Sequence, residues 1–400
     1  MSTKIQHAVP PVVYARRASA GCCLAMACIG ALMASYGPLI PEFGERFGAA
    51  GAQAGFPLAI QSAGSVVGAV VTQRIVFAYG YRRGLAGSFV LIAAGALLVG
   101  SVASWPALLA GALIAGLGLG VCDTSVSQSF IVAHGRRGPA MVNLAHGCFG
   151  IGTVAGPALV AVVGSDRYQL VFCTIAVLVL CAGAGLGGIP RRFGMGGSGA
   201  GGATPAPNGS RLDRRGLYIV AAFLVLYIAH FGVQSGIGSW EPTRLADQGV
   251  DATVATLATS GYWLAMVVGR FIAIPLSSRL RPSVIVIGSC SGMTAALLIA
   301  VAVPSSALWA YPLAGLFIGP IFPNGLTWLL TSGYARGSVF GYVVAGALAG
   351  SIVLPPLLGQ IIANHGTSSL APTLLVVACL SVVAALSVAG LTASRPATKR

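Results

Sequence analysis

The segments Trp105-Pro-Ala-Leu-Leu-Ala-Gly111 and Trp309-Ala-Tyr-Pro-Leu-Ala-Gly315 begin two apolar stretches of the chain in nearly the same way. Other short motifs recur with almost the same offset: Val66-Val67-Gly68 with Val267-Val268-Gly269, and Gly152 before Pro157 with Gly350 before Pro355. Each similarity alone is weak. Together they indicate that a unit of several apolar segments has been duplicated, and this duplication decides the fold.

The composition places these segments in a membrane. Of the 400 residues, 56% are hydrophobic and only 8% are charged, whereas about 25% of the residues of a soluble protein are charged. A helix that crosses a bilayer needs about 20 apolar residues. Twelve such runs occur, near residues 18–40, 52–73, 84–104, 107–133, 138–163, 168–189, 216–240, 254–278, 283–303, 307–332, 337–363 and 369–392.

The repeat and the twelve runs together predict the architecture. We expect an all-α integral membrane protein whose twelve transmembrane helices form two pseudo-symmetric six-helix bundles. Residues 1–190 would form the N-terminal half and residues 216–400 the C-terminal half. Residues 191–215 between them are rich in Gly, Ala and Pro, which is typical of a flexible linker. Parallel repeats of this kind are common in secondary transporters.

The basic residues predict the orientation of the chain in the membrane. Arg and Lys concentrate in both tails and in every second connection, while most acidic residues lie in the alternate connections. Basic connections of membrane proteins face the cytoplasm. We therefore expect a multi-pass protein of the inner or plasma membrane with both termini and the linker in the cytoplasm.

Several other classes of protein are disfavoured. The net charge of +15 is spread over short connections, without the basic patch that nucleic-acid binding requires. The nine cysteines lie in apolar runs and lack metal-ligand spacing. The sequence contains no phosphate-cradling loop and no nucleophile motif. We expect no enzyme activity, no metal and no cofactor, and a monomer whose partners are a small-molecule substrate, protons and the lipid bilayer.

Several motifs resemble those of the major facilitator superfamily. The turn Gly80-Tyr-Arg-Arg83 lies where that family places a basic signature loop, although the acidic residue of the family motif is missing. Within the superfamily, the branch of fucose:proton symporter-like proteins is the most similar. The resemblance implies the major facilitator fold. The stretches that carry it are 36–41, 118–123, 143–150, 156–157, 227–240, 261–270 and 319–324.

Asp123 is the candidate for proton coupling. It is the only carboxylate within the twelve predicted runs, and a charge there costs several kcal/mol unless it is paired or protonated. The resemblance aligns Asp123 with a protonatable acid of the sugar symporter. That symporter also has an acid in its first segment, which this sequence lacks. The alternative for Asp123 is a structural acid bonded to a neighbouring helix.

Polar and aromatic residues inside the runs are candidates for substrate binding. Neutral side chains of this kind suit hydrogen bonding to a polar solute in a largely apolar cavity, and a tryptophan can stack on a sugar ring. Interhelical hydrogen bonding or, for the tryptophan, interfacial anchoring is the alternative for each of them. The candidates are Asn143, His146, Tyr227, His230, Gln234, Trp240 and Asn324.

Three arginines are candidates for gating. Arg270 lies nine residues before Arg279, about 13 Å along a helix, so we expect its side chain to point into the protein. The resemblance places the fifth and eighth segments face to face, which would bring Arg270 near His146. Direct contact with substrate and a fixed bond between the halves are the alternatives for Arg270. Arg82 and Arg83, in the basic turn, are the other two candidates.

The sequence favours a secondary active transporter that moves a small polar solute, such as a sugar or a sugar derivative, by alternating access with proton coupling. One motif supports a different direction of transport. Gly152-Thr-Val-Ala-Gly156-Pro157 resembles a motif of drug:proton antiporters, so proton-coupled efflux of drugs or a metabolite is the first alternative. A non-transporting membrane sensor or partner is the second.

Overall fold

The regular structure of the chain is helical. A computed structural model describes residues 14–195, 214–332, 334, 343 and 346–393. Most of the predicted linker and the first part of the predicted eleventh run lie outside these residues. The α-helices are α1 (Arg16–Phe47), α2 (Phe56–Ser101), α3 (Trp105–His134), α4 (Gly138–Val163), α5 (Tyr168–Ala182), α6 (Arg214–Asp247), α7 (Ala252–Ser277), α8 (Pro282–Ala302), α9 (Ala307–Thr331), α10 (Ala349–His365) and α11 (Leu370–Ala393).

The described helices account for the twelve predicted membrane crossings. Ten described helical segments are long and apolar enough to cross a membrane. One of them contains α2, which leaves helical geometry at Gly80 (φ 76°, ψ 166°) and so forms two limbs. The remaining crossing is α10, a helix of 17 residues.

Several predicted boundaries differ from the structure: α1, for example, continues to Phe47 and includes Glu42 and Glu45, and two further differences bear on the site. The connection predicted between the second and third runs is reduced to Gly80, because the residues on both sides of it are helical. The run predicted to end at residue 240 continues as α6 to Asp247. Glu241, expected in a connection, therefore lies inside a helix. The prediction that Asp123 is the only carboxylate within a spanning segment is wrong for this reason.

The buried side chains form two main cores. One core joins α1 to α5 and includes the fully buried rings of Phe43, Phe89 and Phe172. The other joins α6 to α11 around residues such as Tyr262 and Tyr311, and a few residues of the N-terminal half, Ala34, Ile40 and Ala54, also pack into it. Lipid is as apolar as these side chains, so close van der Waals packing rather than water exclusion stabilises such cores in a membrane.

Glycines allow the helix backbones of the first core to touch. A Cβ at Gly30 of α1 would overlap the Phe149 carbonyl oxygen of α4, and a Cβ at Gly152 of α4 would overlap the Ala27 carbonyl oxygen of α1. The contact is thus reciprocal, with one glycine from each helix. Small residues at this spacing are a common means of close helix packing in lipid.

The two ends of the bundle differ in charge and in closure. We call the end that carries Arg16, Arg82, Arg137 and Arg281 the basic end. Near the other end, α1 meets α6, and α10 meets the short 3-10 turn of residues 51–55. These helices approach closely, because Cβ atoms at glycines of this region would meet backbone atoms across the contact. We call this the closed end.

Candidate functional site

Asp123 and His146 form an acid–imidazole pair between α3 and α4. Oδ1 of Asp123 lies 3.9 Å from Nε2 of His146, and Nε2 is also 3.4 Å from the hydroxyl of Ser127, one turn along α3. Each ionisable side chain is 43% exposed, although Oδ1 itself is buried without a hydrogen-bond partner. Water can therefore reach a pair that is already partly desolvated.

The pair lies on the side of the closed contacts that faces the basic end. The Ser260 hydroxyl of α7 donates to the Val154 carbonyl of α4 at 2.8 Å, and His146 lies two turns from Val154 toward the basic end. Asn143 follows one turn further on and is exposed. The accessible side chains of this face thus open toward the basic end.

Arg270 lies at the level of His146 on the neighbouring helix. α4 and α7 run antiparallel, and Gly150 of α4 contacts the Val267 side chain of α7. One further turn toward the basic end, α4 reaches His146 and α7 reaches Arg270. Because Arg270 follows Met266, 2% exposed, by one turn, its side chain is on the interior face of α7.

The positive charge of the Arg270 guanidinium has few neighbouring groups that stabilise it. Its Nη2 contacts the Met266 sulfur at 3.6 Å, and its Nε is buried without a hydrogen-bond partner in the described part of the chain. Among the described residues, no carboxylate lies within 4.0 Å of it. His230 of α6 is near enough for the charges of the two side chains to interact. Arg270 is therefore a cation without an acidic partner among the described residues, at the level of His146.

The other gating candidates lie at the basic end. Arg82 is half-buried and Arg83 exposed, directly after the break at Gly80. The backbone N–H of Tyr81 donates to the Phe193 carbonyl at 2.9 Å, and so this turn is held against the chain that follows α5. Both arginines therefore lie far from the closed end.

The candidate binding residues of α6 are mostly buried. His230 is 1% exposed and its Nδ1 has no hydrogen-bond partner. Gln234 is 7% exposed, and its backbone carbonyl accepts the Tyr262 hydroxyl at 3.0 Å. Tyr227 is fully buried, with its hydroxyl against Gly325. In this conformation His230 and Gln234 are therefore almost inaccessible to a solute, and Tyr227 lies within the core.

Trp240 and Asn324 make hydrogen bonds inside the protein. Trp240 is 4% exposed, and its indole N–H donates to the Pro355 carbonyl of α10 at 3.0 Å. The Asn324 amide donates to the Pro320 carbonyl of its own helix at 2.9 Å. Both bonds satisfy polar groups within the C-terminal core. In this conformation neither ring face nor amide is presented to the face of Asp123.

Glu241 is the ionisable residue that sequence analysis missed. Its side chain is fully buried, and neither carboxyl oxygen has a hydrogen-bond partner among the described residues. The sequence contained a signal for a glutamate inside the helix, because Glu241 directly follows Trp240, the last residue of the predicted run. Because the predicted run ends at Trp240, Glu241 is assigned to the following connection instead of to the helix.

Two other observations bear on ligands. A cavity of about 410 Å³ lies at the basic end of the C-terminal core, lined by residues that include Arg281, Trp328 and Ser332. None of the predicted site residues lines it among the described part of the chain. Nor do any three His, Cys, Asp or Glu side chains of that part lie close enough together to hold a metal ion.

The family is decided by a sequence profile. The profile described as Major Facilitator Superfamily matches residues 22–243, more than half of the chain. This protein belongs to the Major Facilitator Superfamily. The relationship fits a multi-pass membrane protein with a transporter fold rather than an enzyme, and small-molecule substrates are the ligands of such transporters.

Solved structures with the same fold are transporters. The crystal structure of a D-xylose–proton symporter has a TM-score of 0.76 at 14% identity, covering 93% of this chain and 96% of that one. The xylose transporter XylE from E. coli, in a partially occluded inward open conformation, has a TM-score of 0.72 at 15% identity, covering 92% and 97%. The predicted major facilitator fold, with twelve helices in two bundles, is confirmed.

Relatives with similar sequences are also assigned to this superfamily or to transport. An uncharacterised MFS-type transporter of Yersinia pestis is 24% identical over 88% of this chain and 91% of its own length. Major facilitator superfamily domain-containing protein 4A of Homo sapiens is 28% identical over 32% of this chain, and the match spans only 26% of that relative. Sodium-dependent glucose transporter 1 of Danio rerio is 30% identical over 29% of this chain and 20% of its own length.

Proposed function

We propose that this protein is a secondary active transporter that moves a small polar solute, a sugar or a sugar derivative, by alternating access and with proton coupling through Asp123. The motifs similar to the fucose:proton symporter-like branch support a sugar-like cargo. So do the printed names of a D-xylose–proton symporter among the solved structures and of a glucose transporter among the relatives. The membrane is the inner or plasma membrane, with both termini in the cytoplasm.

The pair of Asp123 and His146 is the observation that carries proton coupling. A carboxylate and an imidazole 3.9 Å apart exchange a proton readily when water and solute change their surroundings. Both side chains are partly exposed on the face open to the basic end, where a solute would enter. Ionisable residues inside a membrane bundle mark ion and substrate pathways by default.

Alternating access would move the two halves against each other. One core is formed by α1 to α5 and the other mainly by α6 to α11, with only a few residues of the N-terminal half in it, which supports residues 1–190 and 216–400 as the two moving units. Residues 191–215 would link them. In the conformation described here the contacts of the closed end are formed, and the second conformation would break them and close the basic end instead.

Substitution of Asp123 tests the coupling. We expect Asp123→Asn to abolish accumulation driven by a pH gradient in proteoliposomes, because an amide cannot gain or lose a proton. Counterflow exchange should persist, since it needs binding and movement but no net proton transfer. Radiolabelled D-xylose and D-glucose are the first probes, extended by a melting-shift screen of sugars and sugar acids.

The matched control is Asp166→Asn. Asp166 is 74% exposed, near the closed end, and pairs only with its neighbour Arg167. This variant should accumulate the probe as the unmodified protein does. Retained accumulation in Asp123→Asn would show that the proton is carried elsewhere, and loss of counterflow in the same variant would indicate a binding role instead.

The motif from Gly152 to Pro157 favours efflux as the second candidate function. Its glycines hold α4 against α1, because Cβ atoms at Gly152 and Gly156 would overlap carbonyl oxygens of Ala27 and Ala31. A deletion strain separates the two directions. Failure to grow on a carbon source supports uptake, whereas sensitivity to a compound supports efflux. Absence of any solute flux in proteoliposomes would favour a sensor or partner protein.

A further inference from the structure

Glu241 lies in a buried position without compensation. Its side chain is fully buried, and among the described residues neither carboxyl oxygen has a well-directed hydrogen bond, the Thr259 hydroxyl being the polar neighbour. Within the part of the chain that the structure describes, no Lys, Arg or His nitrogen lies within 4.0 Å of it. An ionised carboxylate at such a place costs several kcal/mol. The closed conformation therefore favours the neutral acid.

The described groups beside Glu241 on the neighbouring helices are uncharged hydroxyls. α7 contributes the Thr259 side chain and the phenol of Tyr262, and α9 contributes the phenol of Tyr311. The Thr259 hydroxyl lies near enough to the Glu241 carboxyl for a weak, imperfectly directed interaction, and among the described residues it has no other hydrogen-bond partner. The next charged groups of α6 itself are Arg244 and Asp247, which lie 3.5 Å apart and both bond to Thr367.

The same short segment of α6 forms the closed end. Gly238 meets Gly37 of α1, where a Cβ on Gly37 would overlap the Gly238 carbonyl oxygen. Trp240 packs against Gly359 of α10, at the point where Gly359 also meets the backbone of Gly51. Glu241 is the next residue. Separation of the two halves at this end breaks the contact of Gly238 with Gly37, one turn from Glu241, whereas the contact of Trp240 with Gly359 lies within the C-terminal half and is kept. We expect the loss of the Gly37 contact to admit water to the carboxyl.

We propose that Glu241 is a second proton-binding site, which stabilises the closed end when it is protonated and releases its proton when that end opens. The inference rests on the alternating access proposed above. The proton is taken from water on the closed-end side by the carboxylate, forming a carboxylic acid, and returns to water on that side when the end opens. Glu241 is thus distinct from Asp123, which faces the basic end.

Proton linkage fixes the sign and the size of the effect. The closed conformation binds a proton that the open conformation gives up, so acid favours closure. Above about pH 4.3, where a hydrated glutamate is ionised, the ratio of closed to open protein should fall by up to about tenfold for each pH unit. Acid on the closed-end side would then favour the conformation open at the basic end.

Hydrogen exchange followed by mass spectrometry tests this site in the intact protein in nanodiscs. Protection is measured in residues 37–47 and 234–247 between about pH 5 and about pH 8, with exchange times corrected for the intrinsic pH dependence of amide exchange. We expect protection of the unmodified protein to fall as pH rises. Glu241→Gln, which resembles the protonated acid in shape and charge, should stay protected at every pH.

Two further variants serve as controls in the hydrogen-exchange experiment. Glu45→Gln removes an exposed glutamate of α1 near the same end and should keep the pH dependence. Asp123→Asn should also keep it, although it loses accumulation, so the two proposals fail separately. Unchanged protection of the unmodified protein across the pH range overturns the inference even if Glu241→Gln does not fold. A pH dependence that persists in Glu241→Gln overturns it as well.

Discussion

Gly80 shows how a single residue divides a continuous helix into two limbs. Its φ of 76° and ψ of 166° belong to a region of backbone conformation that is essentially restricted to glycine. A Cβ there would also lie 2.9 Å from the Phe193 carbonyl oxygen. The basic turn therefore depends on the absence of a side chain at this position.

We expect Gly80→Ala to destabilise the protein by about 1–3 kcal/mol, the cost of such a backbone conformation for a residue with a Cβ. Thermal unfolding in detergent measures the change. Gly87→Ala, in the same helix with open space around its Cα, is the control, and its stability should be unchanged or higher by about 0.5–1 kcal/mol. Equal stability of the two variants would contradict this account.

At the same scale, the sequence shows which ionisable residues lie in apolar runs but does not specify what surrounds them. Asp123, His146 and Arg270 were singled out because ionisable groups are rare in apolar runs, and the structure places Asp123 beside His146. Trp240 was expected to face a solute or the interface, yet its indole bonds to Pro355. The partner of a side chain depends on tertiary contacts that no local pattern specifies.

At the scale of helices, the contact between α1 and α6 determines closure. Gly37 lies where a Cβ would overlap the backbone of Gly238, and a backbone atom cannot move aside as a flexible side chain can. The helices therefore approach closely only while Gly37 has no side chain. Apolar periodicity predicted both helices, but not their contact, because a stripe of small residues does not specify its partner.

We expect Gly37→Ala to disfavour the closed end, which would lower hydrogen-exchange protection of residues 234–247 and slow the transport cycle. Gly261→Ala, in the half of α7 nearer the closed end and with nothing near its Cα, should change neither quantity. The same exchange experiment in nanodiscs provides the measurement. Full protection in Gly37→Ala would contradict this prediction, because it would show that α1 and α6 can move slightly apart without a loss of stability.

Helix ends were predicted less well than helix number. α6 continues through Pro242 to Asp247, although hydropathy falls after Trp240. Backbone hydrogen bonding inside a bundle extends a helix beyond its apolar part, since the surrounding helices supply the packing. The buried position of Glu241 follows from this extension, and a hydropathy pattern alone does not contain it.

For the whole molecule, duplication and charge asymmetry predicted most of the architecture. The repeated motifs predicted two bundles, and the confirmed fold has them. The conformation was not predictable, because both states of such a protein share one sequence and differ by only a few kcal/mol. Which end is closed depends on contacts between halves that both conformations must be able to make and break.

The positive-inside pattern yields a prediction about the complete protein in its membrane. Green fluorescent protein fused after Arg400 should fluoresce in bacterial cells, and alkaline phosphatase fused there should be inactive, since we expect that terminus in the cytoplasm. Fusions truncated at Gly366, after α10, should give the reverse pattern. The same reporter result at both positions would contradict a membrane crossing by α11.

The closure of one end has a consequence for pharmacology. If the basic end faces the cytoplasm, the accessible faces of Asp123 and His146 are sealed from the medium in this conformation. A charged inhibitor that does not permeate the bilayer would leave it unaffected when added to whole cells, yet would block it in inverted vesicles. Antibodies raised against the external surface would instead bind the closed end itself.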